Sequence, residues 1–173
     1  SEVGHMNIGA GRIVYQDLLR IDRAVADGSF QKEAILQQAF EAARKPGVRL
    51  HLMGLVSKGG VHSQQEHLSA LCRAAQHSGV GDFSVHAFTD GRDTAPMTGR
   101  KYIEELEGVL KETGGHIASV HGRYFSMDRD NRWERISKSY QALVHGKGDL
   151  YPSADDGIAC LLYTSDAADD AHG

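Results

Sequence analysis

VRLHLMGLVSKGGVHSQQEHLSALCRAAQHS, residues 48–78, is the stretch whose reading decides the fold. Its first nine residues are a nearly continuous apolar run of strand length, suited to a strand covered on both faces. A glycine-bearing loop, SKGGVH (57–62), follows it. From 63 to 78 the apolar residues Leu68, Leu71, Cys72 and Ala75 recur at helical spacing. Strand, loop and helix in this order are the first part of a βαβ unit, and the pattern repeats downstream. FSVHAFT (83–89) predicts a second strand. A helix over 98–113 turns Tyr102, Leu106, Val109 and Leu110 inward and is ended by Gly114 and Gly115. Residues 116–120 predict a third strand. A helix over 131–145 is expected to turn Trp133, Ile136, Tyr140, Leu143 and Val144 toward the sheet, with Glu134, Arg135 and Lys138 outside. The fold class is therefore α/β, a largely parallel sheet with flanking helices.

Upstream, Leu18, Leu19, Ile21 and Val25 predict a helix over 15–26 that stops near Gly28. A second helix lies between Ser29 and Pro46, with Ile35, Leu36, Phe40 and Ala43 on one side. SEVGHMNIGAG (1–11) is glycine-rich and reads as a loop of a site, with Ser1 placed to cap a short helix. The chain opens inside this dense motif without a methionine, so further residues are expected before it.

At 173 residues, with 40% apolar and 24% charged side chains, the chain has the makeup of one globular domain with a core. A formal net charge of -4 supplies no overall basic field for nucleic acid, so an anionic ligand must be held locally. No apolar stretch reaches eighteen residues, so no membrane span is expected. Two cysteines, Cys72 and Cys160, make no disulfide framework, and a reducing, cytoplasmic setting is expected.

The chemically loaded residues follow the carboxyl end of each strand, where open parallel sheets bind their ligands. SKGGVH lets backbone N–H groups approach an anion, with His62 beside the next helix. TDGRD (89–93) carries Arg92 and Asp93, and GRYFSMDRDNR (122–132) brings Arg123, Arg129 and Arg132 near Asp128 and Asp130. Arginine forks suit carboxylate and phosphate oxygens. Taken singly, each has a plainer reading. His62 could cap a helix, Arg92 with Asp93 could be a surface ion pair, and DRDNRWER could be a solvated helix start capped by Asp130 or Asn131. Three such loops on one edge make coincidence the weaker account.

SEVGHMNIGAGRIVYQD, SKGGVHS, FTDGRDTAP and GRYFSMDRDNRWER resemble, in this order and spacing, the 2,3-bisphosphoglycerate-independent phosphoglycerate mutases, over residues 1–159. The resemblance implies an alkaline-phosphatase-like, metal-dependent domain interrupted by an inserted α/β transferase domain. Residues 1–15 would be a piece of the first, residues 16–159 part of the second, and residues 160–173 a tail outside the family, expected to be disordered. Ser1 would take the phosphoryl group and ligate one of two divalent ions, commonly manganese. His62, Arg92, Asp93, Arg123 and Arg129 would bind the glycerate. The implied activity is interconversion of 3- and 2-phosphoglycerate through a phosphoserine, by a monomer acting on a small molecule, with neither nucleic acid nor membrane as partner. The other metal ligands of that family lie outside these residues, so the chain alone is expected to be inactive. Two alternatives stay open, a metabolite-binding module without turnover and a related metal-dependent phosphomutase or phosphatase.

Overall fold

The structure is a computed structural model that describes residues 2–164, with side chains over residues 4–159. Three strands, β1 (Leu50–Val56), β2 (Phe83–Thr89) and β3 (His116–Gly122), pair in parallel in the order β1-β2-β3. Ahead of the sheet come α1 (Glu2–Ala10), α2 (Asp17–Ala26) and α3 (Ala34–Ala43). The helix α4 (Gln65–His77) joins β1 to β2, and α5 (Gly99–Thr113) joins β2 to β3. After β3 follow the one-turn α6 (Arg123–Ser126), then α7 (Trp133–His145) and α8 (Ala154–Thr164).

Side chains alternate across a strand, so the sheet has two different faces. One face carries Leu52 and Val56 of β1 with Phe83, Val85 and Ala87 of β2, all buried. They pack on Cys72, Ala74 and Ala75 of α4, on Ile103, Leu106 and Leu110 of α5, and on Phe40 of α3. Each large apolar side chain buried there contributes roughly 1.5–3 kcal/mol against the entropy of ordering it. The opposite face carries a row of polar side chains. His51 Nδ1 meets His86 Nε2 at 2.9 Å, His86 Nδ1 meets Ser119 Oγ at 2.7 Å, and Ser119 Oγ meets His121 Nε2 at 2.6 Å. This row of imidazoles crosses all three strands. It depends on an irregularity between Val85 and His86, where the register passes from Val85↔Ile117 to His86↔Ser119 and skips Ala118.

Four expectations are corrected. β1 is not covered on both faces: His51 is exposed and Met53 is 62% exposed, because the helices packed on this strand lie on its other side. Residues 2–10 form a helix rather than a loop. Intrahelical bonds satisfy the backbone of a segment whose Met6 and Ile8 remain exposed. The apolar side of α7 closes only in part, since Ile136 and Leu143 are half-buried while Trp133, Tyr140 and Val144 are exposed. Its inward direction is set by α6. Ser139 is buried and shares a 2.9 Å hydrogen bond with Ser126, while Arg135 lies over the Tyr124 ring and Lys138 over the Phe125 ring. The disordered tail expected from residue 160 gives way to α8 as far as Thr164. That helix is anchored before the boundary, where Ser153 Oγ accepts from Asp156 N, Arg100 grips Asp155 with two bonds, and Ile158 is buried. The rest of the tail lies outside the described residues.

Candidate functional site

Val56 pairs with Thr89 and Thr89 with Gly122, so the three strands end level. The chain leaving each strand therefore emerges at one edge: Ser57 after β1, Asp90 after β2 and Arg123 after β3. A parallel sheet makes this unavoidable, because each crossover helix returns the chain to the same starting edge.

Asp90 is the centre of the arrangement. Its side chain has no solvent exposure, and Oδ1 accepts from the backbone N–H groups of Gly91 (2.9 Å), Arg92 (3.1 Å) and Asp93 (3.0 Å). The same oxygen accepts from Arg123 Nη1 at 2.8 Å, and Oδ2 accepts from Ser57 Oγ at 2.5 Å. Ser57 Oγ accepts in turn from Gly59 N at 3.1 Å. One carboxylate thus ties together all three loops. Burial by itself pushes the Asp90 carboxyl up, but the bonds from Ser57, Arg123 and the backbone of Asp93 and Arg92 outweigh it and leave it at about 2. Asp90 is ionised at any physiological pH.

Arg123 Nη1 also donates to Asp93 Oδ2 at 2.7 Å, and the two side chains are 13% and 12% exposed. Burial works against the guanidinium charge, and the bonds to Asp93 and Asp90 more than restore it. The SKGG loop presses onto the same group. A Cβ added at Gly59 would lie 3.0 Å from Asp93 Cβ and 3.1 Å from Asp93 O, a tight approach that a larger residue could make only if Asp93 gave way by a few tenths of an ångström. Gly60, at φ +69°, makes the turn that follows.

The five substrate-binding candidates within the described residues therefore divide. Asp93 and Arg123 are in direct contact and mostly buried. Arg92 has its backbone fixed by Asp90 and its side chain exposed, while His62 and Arg129 are exposed on the loops beside it. Arg132 and Asp128 are used locally, Asp128 accepting from Arg132 N at 2.9 Å and facing Arg135 at 3.5 Å. Ser1 lies outside the described residues.

The chain matches the family model described as BPG-independent PGAM N-terminus over residues 21–171. The chain belongs to that family. Among curated relatives it is 54% identical over 159 residues to the 2,3-bisphosphoglycerate-independent phosphoglycerate mutase of Clostridium beijerinckii, covering 91% of this chain and 31% of that protein. It is 52% identical over 162 residues to the enzyme of the same name from Myxococcus xanthus, 93% of this chain and 31% of that protein. The chain thus spans about a third of the length of the curated relatives it matches. Among solved structures, Leishmania mexicana phosphoglycerate mutase, crystallised at low cobalt concentration, superposes with a TM-score of 0.81 at 32% identity, over 88% of this chain and 29% of that one.

As a member of this family the chain would be expected to serve metal-dependent chemistry. Among the described residues, however, no group of three or more His, Cys, Asp or Glu could hold a metal ion. No described helix is long and apolar enough to cross a membrane. Sequence reasoning missed Asp90, which bonds Arg123 and the backbone of Arg92 and Asp93, and Ser57, which bonds Asp90. The available signal was the Asp-Gly pair at a strand end, where a short carboxylate commonly caps the backbone of the following turn.

Proposed function

We propose that this chain is the substrate-holding part of a phosphoglycerate mutase that interconverts 3-phosphoglycerate and 2-phosphoglycerate in glycolysis and gluconeogenesis. The observation that carries the reading is the near-buried Arg123, charged and held against Asp93 at the edge where all three strand-end loops meet. A phosphoglycerate offers a carboxylate and a phosphoryl group to arginines, and a hydroxyl to an aspartate. On this reading Arg123 and Arg92 hold the acid, Arg129 and His62 approach from the flanking loops, and Asp93 accepts from a glycerate hydroxyl. Ser1 is the phosphoryl acceptor and also a metal ligand. The chemistry of paired divalent ions, manganese in this proposal, belongs to Ser1 and to residues other than those described. Residues 1–15 belong with the phosphatase-like domain and residues 16–159 with the substrate domain. The whole protein acts as a cytoplasmic monomer on small molecules, without nucleic acid or membrane as partner.

The task of these side chains is retention. Once the phosphoryl group has left 3-phosphoglycerate, the glycerate must stay bound while it reorients, and its escape leaves the phosphoserine to water. The test uses a full-length enzyme containing this sequence, with 3-phosphoglycerate as substrate and both 2-phosphoglycerate and free phosphate measured. Ser1→Ala is expected to remove both products. Arg123→Ala should weaken the hold by about 2–4 kcal/mol, lower mutase turnover and raise the ratio of free phosphate to 2-phosphoglycerate. An unchanged ratio would show that Arg123 does not retain the glycerate.

A further inference from the structure

We infer that Asp90 is a positioning residue, one that sets the Arg123 guanidinium so that its Nε–Nη2 edge is presented to the ligand. The inference deepens the proposed function and rests on it. A guanidinium carries five N–H groups in one rigid plane, two of them on Nη1. Both Nη1 donors are committed, one to Asp90 Oδ1 at 2.8 Å and the other to Asp93 Oδ2 at 2.7 Å. Among the described residues no hydrogen bond is made by Nε or Nη2, and these two nitrogens form the side-on fork that matches the paired oxygens of a carboxylate or phosphoryl group. Bonds from Nη1 to two carboxylates of the loop after β2 leave the plane little freedom to rotate.

The two carboxylates are not equivalent. Asp93 sits beside the exposed side chain of Arg92 and retains some solvent contact, so a ligand hydroxyl can reach it. Asp90 has none, and its oxygens are taken by Ser57, Arg123 and three backbone N–H groups. It touches no ligand. Its effect passes through Arg123 and through the backbone that carries Arg92 and Asp93.

The experiment is a double-mutant cycle in the full-length enzyme, reading kcat/KM for 3-phosphoglycerate and the ratio of free phosphate to 2-phosphoglycerate. Asp90→Asn keeps the shape but removes the charge. It is expected to lower kcat/KM on the order of 100-fold and to raise the phosphate ratio, as misplacement of a binding group does. In an Arg123→Ala background the same change should cost less than about threefold, because residues acting through one contact do not add. Ser57→Ala, a milder change that removes one donor to Asp90, should act in the same direction by about fivefold and should likewise lose its effect without Arg123. Full additivity in both cycles would reduce Asp90 to a scaffold residue and overturn the inference, as would wild-type kinetics in both single variants. The two readings fail differently. An active Arg123→Ala effect with silent Asp90→Asn and Ser57→Ala defeats only the inference, whereas an Arg123→Ala enzyme with an unchanged product ratio defeats the proposed function and the inference with it.

Discussion

Gly115 stands between the end of α5 and the start of β3, and alanine at that position has nowhere to put its methyl group. An added Cβ would lie 2.4 and 2.6 Å from Cε2 and Cζ of Phe83, and 2.8 Å from Cδ2 of Leu110. Carbon atoms pack at about 3.5–4.0 Å, so each contact is roughly 1 Å too short. Phe83 has no solvent exposure and Leu110 has 3%, so neither can swing away into water. Overpacking of this kind costs typically about 1–3 kcal/mol. Gly→Ala also restricts the unfolded chain, which offsets the loss by about 0.4–1 kcal/mol. The net expectation for Gly115→Ala is a destabilisation of about 1–2 kcal/mol, read as a lower urea midpoint at unchanged slope. Gly108 provides the control, because it lies inside α5 with nothing within 4 Å of its added Cβ. There the same substitution should stabilise the chain by about 0.5–1 kcal/mol, by helix propensity alone. A further test shortens the offending ring: Phe83→Leu should cost less in the Gly115→Ala background than in the wild type. A Gly115→Ala chain as stable as Gly108→Ala, or a Phe83→Leu cost independent of residue 115, would refute the packing argument.

Two other outcomes are expected of the chain. His86 is held below its ordinary 6.5 by burial and then by His51 and His116, and His121 is lowered by burial and by His86. Both favour the neutral ring when folded, so the unfolded chain binds more protons below about pH 6.5 and stability is lost as the pH falls from there; His86→Gln should shrink the difference between urea midpoints at pH 7.5 and 5.5, and an undiminished difference counts against the imidazole row as its source. The Cys72 thiol is buried and pushed up to about 12 by that burial, so native-state alkylation, followed at the Cys72 peptide, should proceed only as fast as the chain opens; labelling at the rate of the urea-unfolded chain would place the thiol at the surface.

The bonds around Asp90 explain why the candidate site is partly legible from residue order. Arg92, Asp93 and Arg123 stand immediately after apolar strands, and both residue type and position mark them. The contacts that give them a common geometry span long separations: Ser57 to Asp90 and Asp90 to Arg123 are each 33 residues apart. No local pattern announces such a pair. Ser57 reads as one more polar loop residue until it is found buried with its hydroxyl on a carboxylate. His62 and Arg129 are the converse case, since their residue types call attention to them while their side chains remain exposed on neighbouring loops.

By itself the sequence determined the strands, the crossover helices and the parallel α/β class. The reason is local: an apolar run of strand length or an apolar stripe of period 3.6 can bury itself in few ways. It also determined that three polar loops would share one edge, since parallel strands joined by helices end on the same side. Only the tertiary structure decided the strand order, the skipped Ala118 that aligns Ser119 with His86, and the packing of α7 on α6 that leaves part of its apolar side open. Trp133, Tyr140 and Val144 satisfy the helical period and are nonetheless exposed, because periodicity states which residues share a face but not what that face will meet. The central place of Asp90 is of the same kind. A carboxylate becomes a buried ion only where donors from three separate segments converge, and that convergence is a property of the folded sheet.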